Sequence, residues 1–141
     1  MGAKRVVYVT MVGDLFHRGH LELLNKARKL GECLIVGLHP DDVVERYKRK
    51  PVISFEDRKA IIAAIDGVEE VVEDCMDFRE PKMLGNLKKF NVDVLVHGDD
   101  WLPPLYEKAR EENLCDVVQV PCYPHITTTQ LIEKIRGDKN D

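Results

Sequence analysis

The residues best suited to chemistry are His17 and His20, which lie three positions apart in the segment GDLFHRGH. This segment follows the β-branched run Val6–Thr10 and leads into a helical pattern of apolar residues. Gly19 allows a tight turn into that helix, whose first N–H groups and positive dipole end attract anions. Two imidazoles beside the turn add directional donors, so the segment predicts a site for a polyphosphate whose negative charge grows during a reaction. Helix capping and metal binding are the alternatives, although no HExxH or CxxC motif supplies the further ligands that zinc needs.

Alternating strands and helices must position these histidines. Strands rich in Val, Ile or Leu are predicted at about 5–10, 32–38, 68–73, 92–97 and 116–120. Their near-continuous apolar runs are typical of parallel strands that are buried on both faces. Helical patterns lie between them: the stripe Leu23, Leu24, Ala27 and Leu30, a helix after the capping-box residue Ser54 with the stripe Ile61, Ile62 and Ile65, and segments near 81–90, 104–112 and 128–136. This order predicts a doubly wound α/β sheet with parallel strands.

Ligands of such sheets bind beyond the carboxyl ends of the strands, where the strand order reverses. If the first and fourth strands are neighbours there, the loop Met11–His20 meets the loop His97–Trp101, whose sequence is HGDDW. The sequence is therefore consistent with one crevice lined by histidines, carboxylates and a tryptophan. Lys48–Pro51 is a dense basic cluster in the loop ahead of the Ser54 helix, and it is either a solvated face or part of this crevice.

Composition limits the class of protein. The chain has 141 residues, of which 44% are hydrophobic and 33% charged, as expected for one soluble globular domain. We expect residues 1–136 to form that domain and residues 137–141 to be a flexible tail. A net charge of −4 argues against nucleic-acid binding by general electrostatic attraction. Four cysteines without CxxC spacing and the lack of a long apolar segment predict reduced thiols in a cytoplasmic protein that does not enter a membrane.

The segment GDLFHRGH resembles the HxGH signature of the nucleotidyltransferase superfamily. Further segments narrow the resemblance: Arg46–Pro51 followed by Glu56–Arg58, then HGDDW at His97–Trp101 and ITTT at Ile126–Thr129. In this order they are similar to the small cytidylyltransferases that act on glycerol 3-phosphate, phosphoethanolamine or phosphocholine, over about residues 5 to 136. The resemblance implies a Rossmann-like, doubly wound parallel sheet of five strands of the HxGH nucleotidyltransferase type.

The implied reaction is transfer of CMP from CTP to a small alcohol or amine that carries a phosphate or a phosphonate, with release of pyrophosphate. The first turn, Met11–Asp14, has a Met-x-x-Asp form that is similar to the cytidylyltransferase domains accompanying phosphoenolpyruvate mutase. Those domains act on phosphonates such as 2-hydroxyethylphosphonate, so the acceptor stays open between the two classes. Mg²⁺ bound with CTP is the expected cofactor, with no metal ligand predicted in the chain itself. A homodimer is also implied by the resemblance.

Site residues follow from the same resemblance, motif by motif. The implied catalytic residues are His17, His20, Lys48 and Lys50. The implied nucleotide-binding residues are Val12, Gly13, Asp14, Gly19, His97, Asp99, Asp100, Ile126, Thr127, Thr128 and Thr129. The implied acceptor-binding residues are Asp41, Lys48 and Trp101. Asp14 either faces the phosphates and their metal or holds the loop.

Structural roles remain open for several of these residues. The threonines are also suited to capping a helix, Asp99 and Asp100 to capping a helix that begins at Pro103-Pro104, and Trp101 to the core. Arg58 suits a structural ion pair as well as a ligand.

Three positions depart from the family pattern, because Asp66, Cys122 and His125 stand where basic residues or a glycine are usual. They motivate a nucleotide-binding module without catalysis as one alternative function. An adenylyltransferase that uses ATP on a cofactor precursor is the other alternative.

Overall fold

A computed structural model describes residues 4–137, which form five strands and six helices. In chain order they are β1 (Val6–Met11), α1 (Arg18–Arg28), β2 (Cys33–Leu38), α2 (Asp41–Glu45), α3 (Phe55–Ala63), β3 (Val68–Glu73), α4 (Lys82–Lys89), β4 (Val94–Gly98), α5 (Pro104–Glu111), β5 (Asp116–Val120) and α6 (Thr128–Arg136). Each strand lies within two residues of its predicted position. Of the predicted tail, Gly137 ends α6 with a left-handed φ of 82°, and residues 138–141 lie outside the described residues.

All strand pairs are parallel, and the strand order is β3-β2-β1-β4-β5. The central strand β1 places Val9 beside Val36 of β2 and beside Val96 of β4. The chain therefore extends the sheet first to one side of β1 and then to the other. This confirms the doubly wound, Rossmann-like sheet and the predicted contact between the first and fourth strands.

Helices cover both faces of the sheet, because alternate residues of β1 point to opposite sides. Val7 and Val9 belong to a core that also contains Leu24 of α1 and Ile62 of α3. Tyr8 belongs to the opposite core, together with residues of α4 and α5 such as Met83, Leu87 and Leu105. Burying an aliphatic side chain of this size stabilises a fold by about 1.5–3 kcal/mol. The two cores therefore hold the strand ends, where the loops lie, in fixed relative positions.

The edge strands differ from the prediction. Strands buried on both faces were expected throughout, yet Glu69 and Glu70 of β3 and Asp116 of β5 are exposed. β3 and β5 lie at the two edges of the sheet, where one side of each strand has no neighbouring strand. Only the three inner strands have the burial that the apolar runs predicted.

α3 also corrects one detail of the prediction. Ser54 does cap this helix, since its side chain accepts a hydrogen bond from the main-chain N–H of Asp57. In the predicted stripe, however, Ile61 is 42% exposed, whereas Ile62 is buried. Arg58, at 1% exposure, lies on the buried face instead. The helix is therefore turned so that a cation faces the strand ends.

Candidate active site

A cleft of about 490 Å³ opens at the carboxyl ends of the inner strands. Its size is within the usual range for small-molecule sites. It is lined by predicted site residues from both loops and from α6, namely Val12, Gly13, Asp14, His17, Gly19, His20, Lys48, His97, Asp100, Trp101, Ile126, Thr127, Thr128 and Thr129. The structure thus brings together residues that lie more than 100 positions apart in the chain.

His17 and His20 form the N-terminus of α1 and face the cleft at the same time. His17 is the N-cap residue, and its Nδ1 accepts a hydrogen bond from the N–H of Gly19 at 2.9 Å. Nδ1 of His20 accepts in turn from the N–H of His17 at 3.0 Å. A neutral imidazole whose Nδ1 is an acceptor carries its proton on Nε2. Both rings therefore carry a proton on Nε2.

Gly19 is required by the closeness of the His17 ring. A Cβ at position 19 would lie 2.7 Å from Cε1 of His17 and 3.3 Å from the carbonyl oxygen of Ile126. Any larger residue would push the capping ring away from the helix end. Gly19 thus allows the His17 ring to approach the main chain closely. The ring centroids of His17 and His20 lie 4.0 Å apart.

Burial keeps both histidines neutral in the free protein. Desolvation, and after it the positive charge of a protonated His17, lowers the pKa of His20 to about 3. Desolvation also lowers the pKa of His17. The rings are therefore neutral hydrogen-bond donors near pH 7, and an anion bound between them would favour their protonation.

α6 is joined to this motif through Thr128. The Thr128 hydroxyl donates a hydrogen bond to the carbonyl oxygen of Asp14 at 3.1 Å, and Nε2 of His17 lies 3.2 Å from the same hydroxyl. Because the hydroxyl proton is used toward Asp14, its oxygen accepts the proton of His17. Thr127 is the N-cap of α6 and forms a capping box with Gln130. The predicted capping role is therefore present, and the helix N-terminus that it caps faces the cleft.

Asp14 anchors the segment between α2 and α3, which contains the basic cluster Lys48–Pro51 and is called the basic loop below. Its carboxylate is buried and accepts hydrogen bonds from the main-chain N–H groups of Val52 and Ile53 at 2.8 and 2.9 Å. Of its two predicted roles, the structure thus shows the anchoring of the loop. Lys48 lies earlier in the same loop and lines the cleft. Desolvation there lowers the pKa of its amine.

Arg58 has the structural role. Its guanidinium is buried and donates to the carbonyl oxygens of Val12, His39 and Ile53 at 2.6, 2.9 and 2.9 Å. It also pairs with Asp41 at 2.6 Å. One side chain thereby joins the ends of β1 and β2 to the basic loop.

Three predicted site residues do not line the cleft. Asp41 is paired with Arg58, which explains why its carboxylate is not free to face an acceptor. Asp99 accepts a hydrogen bond from the N–H of Cys122 at 3.0 Å, and this bond lowers the pKa of its carboxyl. Lys50 is exposed on the loop, whereas its neighbour Arg49 lines the cleft.

The HGDDW segment has neither of the structural roles considered for it, helix capping by its aspartates or a core position for Trp101. The N-cap of α5 is Pro103, so Asp99 and Asp100 do not cap that helix. Trp101 is 55% exposed and lines the cleft rather than the core. Asp100 lies beside the thiol of Cys122, with 3.5 Å between the carboxylate oxygen and the sulfur.

The departures from the family pattern bring no cation to the cleft. Cys122 lines it as a thiol, while Asp66 and His125 are exposed and do not line it. His125 contacts the ring of Tyr123, with 5.1 Å between ring centroids. The positive groups of the cleft are therefore those of the basic loop.

The predicted site residues do not include His39, Tyr47 and Arg49, all of which line the cleft. His39 directly follows β2. The principle that ligands bind beyond the carboxyl ends of parallel strands therefore applied to it as well. Tyr47 and Arg49 flank Lys48, but no pattern in the sequence shows which residues of a loop turn inward. The Arg49 guanidinium lies 3.4 Å from the Thr129 hydroxyl on the opposite wall.

Two further findings concern residues 4–137. No three His, Cys, Asp or Glu side chains in this range are grouped so that they could hold a metal ion. None of the helices in the same range has both the length and the apolar character required to cross a bilayer. The four cysteines are free thiols.

A family model described as cytidylyltransferase-like matches residues 13–137. Glycerol-3-phosphate cytidylyltransferase from Bacillus spizizenii is 36% identical over 128 residues, which is 91% of this chain and 93% of that protein. The Bacillus subtilis protein of the same name is 34% identical over 134 residues, covering 95% and 98% of the two chains. The bifunctional protein HldE from Helicobacter hepaticus is 35% identical over 96% of this chain, which corresponds to 27% of its own length.

One solved structure has a similar fold. It is a lipopolysaccharide core biosynthesis protein from Thermoplasma volcanium, with a TM-score of 0.75 and 21% identity. The match covers 86% of this chain and all of that one.

Proposed function

This chain belongs to the cytidylyltransferase-like family and is a nucleotidyltransferase, and from this premise we propose that it transfers CMP from CTP to a small acceptor. The acceptor is an alcohol or amine that carries a phosphate or a phosphonate. An anionic oxygen of the acceptor attacks the α-phosphorus of CTP, and the bond from that phosphorus to the bridging oxygen breaks. The bonding electrons leave with pyrophosphate, so no covalent enzyme intermediate is needed.

One observation carries the proposal: the His17 and His20 rings, each protonated on Nε2, line one cleft together with the N-terminus of α6, and in the free protein the Nε2–H of His17 is donated to Thr128. Donors that are already in position stabilise charge as it develops on phosphate oxygens, without reorganising during the step. The N–H groups at the start of α6 suit the β- and γ-phosphates. Lys48 is placed to neutralise charge on the acceptor or on CTP.

Mg²⁺ fits this site as a partner of the nucleotide. The chain does not group three metal-ligating side chains within residues 4–137. Magnesium is commonly held by phosphate oxygens, waters and only one or two carboxylates. Asp14 and Asp100 are the carboxylates that line the cleft. When bound, the ion would neutralise charge on the triphosphate.

The acceptor class is supported at the level of its anionic head. A phosphonate and a phosphate monoester present the same dianionic group, so one set of donors serves both. The similarity to glycerol-3-phosphate cytidylyltransferases supports a phosphate, and the Met-x-x-Asp turn supports a phosphonate. The proposal therefore keeps both.

The test is pyrophosphate release by the purified protein with Mg²⁺ and either CTP or ATP. Acceptors are glycerol 3-phosphate, phosphoethanolamine and 2-hydroxyethylphosphonate, and mass spectrometry identifies the CDP-linked product. We expect turnover with CTP and at least one acceptor. Turnover with ATP alone would favour an adenylyltransferase. CTP binding without pyrophosphate release from any acceptor would favour a non-catalytic module.

We also propose a homodimer, which rests on the family resemblance. Light scattering during gel filtration should give about twice the chain mass of 16.2 kDa. A mass equal to that of one chain would contradict it.

A further inference from the structure

A chain of polar side chains leads from the wall of the cleft at Tyr47, which is 53% exposed, into the interior at the end of β2. Nδ1 of His39 is 2.8 Å from the hydroxyl of Tyr47, and Nε2 of His39 is 3.4 Å from Oδ1 of Asp74. His39 is 2% exposed and Asp74 is 0% exposed. We call these three residues the Asp74–His39–Tyr47 relay. The sequence motifs contain Tyr47, within Arg46–Pro51, but neither His39 nor Asp74.

The surroundings of Asp74 determine where the protons lie. The Tyr8 hydroxyl donates to Oδ2 of Asp74, and Asn86 donates to the Tyr8 oxygen at 3.0 Å. Oδ1 of Asp74 and Nε2 of His39 are buried polar atoms that lack a hydrogen bond and face each other. A buried carboxylate oxygen requires a donor. Placing the His39 proton on Nε2, 3.4 Å from Oδ1 of Asp74, directs a donor at this oxygen and leaves Nδ1 as an acceptor.

The fold makes room for this arrangement at Gly37. A Cβ at that position would overlap the Tyr8 hydroxyl and lie 2.7 Å from Oδ2 of Asp74. The core of the sheet is therefore opened at one position in β2 to admit a carboxylate. A carboxylate kept at 0% exposure costs free energy unless its partners offset it.

Within the relay, the Tyr47 hydroxyl can act toward the cleft only as a hydrogen-bond acceptor. Its hydroxyl proton is donated inward to Nδ1 of His39, so its oxygen presents only lone pairs to the cleft. Desolvation, together with the negative charge of Asp74, raises the pKa of Tyr47 to about 12, so the group stays a hydroxyl. A ligand that meets Tyr47 from the cleft is therefore met by a hydrogen-bond acceptor.

Position separates this part of the cleft from the HGDDW segment. Thr10 lies at the end of β1, His39 just after β2 and Met76 after β3, while Tyr47 lies in the basic loop. β4, β5 and the HGDDW segment lie on the other side of β1. Lys48 is adjacent to Tyr47 in the chain and lines the same cleft. An acceptor whose anionic head meets Lys48 would thus place its other end near Tyr47.

We propose that the Tyr47 oxygen binds a hydrogen-bond donor on the tail of the acceptor, a hydroxyl or an ammonium group, and thereby selects acceptors that carry one. Tyr47 is the specificity-determining residue, and His39 and Asp74 are positioning residues that act through it. The inference rests on the proposed function, since it assigns the end of that acceptor opposite to the phosphate or phosphonate.

The test uses three acceptors with the same two-carbon skeleton: 2-hydroxyethylphosphonate, 2-aminoethylphosphonate and ethylphosphonate. Glycerol 3-phosphate and n-propyl phosphate form the matching phosphate pair. For the wild type we expect kcat/KM to be about tenfold higher with a tail donor than without one, as for one hydrogen bond. The hydroxyl and amino compounds show which donor is preferred.

Tyr47→Phe should remove this preference through KM, bringing tailed and tail-less acceptors within about twofold of each other. Tyr123→Phe is the matched control, because it removes a hydroxyl from another residue that lines the cleft and should leave the preference unchanged. A Tyr47→Phe variant that keeps the wild-type preference would overturn the inference.

Two variants of His39 separate positioning from general structural support. An asparagine amide reaches the place of Nδ1, and a glutamine amide reaches the place of Nε2. His39→Asn should therefore keep part of the tail preference, whereas His39→Gln should lose it. Equal losses with tailed and tail-less acceptors in both variants would indicate a structural role only and contradict the relay.

A spectroscopic measurement tests the relay without turnover. In the nitrogen-15 spectrum of the free protein, His39 should carry its proton on Nε2, and Tyr47→Phe should shift the Nδ1 resonance. A proton on Nδ1 would overturn the inference whatever the enzyme does. If no acceptor releases pyrophosphate, the proposed function fails and the inference falls with it. Turnover without tail preference overturns the inference alone.

Discussion

At the scale of single residues, the geometry of His17 and His20 allows two roles that the sequence presented as alternatives, helix capping and the proposed phosphate binding. Each Nδ1 accepts a hydrogen bond from a main-chain N–H of the helix end, and each Nε2 therefore carries the proton, which His17 donates to Thr128 in the free protein. Capping thus fixes the tautomer that phosphate binding requires. A lysine at either position would supply charge but not this assignment of donor and acceptor.

Replacing His17 by asparagine should separate the two roles. Asparagine is a good N-cap residue, so we expect the free energy of unfolding to change by less than about 1 kcal/mol. The loss of the Nε2 donor should lower kcat by about 10²–10³ with a modest change in CTP affinity, since the donor acts on the transition state. Steady-state kinetics and urea unfolding measure the two effects. Wild-type kcat in this variant would remove the assigned role.

Acid should destabilise the protein through His20. In the unfolded chain a histidine protonates near pH 6.5, whereas burial lowers the pKa of His20 to about 3 in the folded protein. Between these pH values the unfolded state binds the proton, so the free energy of unfolding falls as pH is lowered. The slope from this residue is at most about 1.4 kcal/mol per pH unit. Urea unfolding between pH 7.5 and 5 should show a shallower decline for His20→Gln, and an unchanged decline would contradict the assignment.

At the scale of elements, the basic loop between α2 and α3 is held at both ends. Tyr47 contacts His39 on the side of β2, Arg49 reaches Thr129 of α6, and Asp14 holds the main chain of Val52 and Ile53. Lys48 lies between the first two contacts. The loop is therefore positioned across the cleft before any ligand is present.

Lys48 and Lys50 should differ in their contribution because of this geometry. Lys48→Ala removes a cation that lines the cleft, so we expect KM for CTP or for the acceptor to rise about tenfold. Lys50→Ala removes an exposed cation that does not line the cleft. The change in log KM should therefore be less than half of that in Lys48→Ala. Initial rates at varied CTP and acceptor give both constants. A larger effect at position 50 would show that the loop rearranges when substrates bind.

The sequence predicted elements better than it predicted faces. Strong apolar runs located all five strands, and caps such as Ser54 located helices. α2 was missed because it has five residues and begins after Pro40 without a side-chain cap. Burial of Arg58 could not be predicted, because a guanidinium is normally exposed and its partners here are carbonyl oxygens of distant loops.

The candidate site shows the same limit. Motifs located the residues that come from the main-chain turns at strand ends, such as Gly13, His17 and His97. They did not indicate that Asp41 and Asp99 are engaged by Arg58 and Cys122. Nor did they indicate a role for His39 or for Tyr47, because the contacts of both depend on the carboxylate of Asp74, which is buried just after β3. Side-chain pairing across the fold carries no local pattern.

At the scale of the whole molecule, the cleft depends on the complete sheet. His17 and Thr128 are in contact although 111 positions separate them. The walls come from both sides of β1, so neither half of the sheet encloses the site. We therefore keep the proposal that residues 1–136 are one domain.

Unfolding should accordingly be a single cooperative transition. Trp101 is the only tryptophan and lines the cleft, so its fluorescence reports on the site, whereas circular dichroism reports on the sheet and helices. In urea the two signals should change together, as in a two-state protein. A fluorescence change at lower urea than the dichroism change would show that the cleft opens as a separate unit.

The adjacency of β1 and β4 has a practical consequence. A cut in the connection that follows α4 would leave the paired histidines on one fragment and the closing threonines on the other. Neither fragment would hold a triphosphate alone, and catalysis would return only when the two reassociate. On the proposed function, the protein could therefore serve as a split reporter. Two proteins fused to the fragments would restore pyrophosphate release when they bind each other.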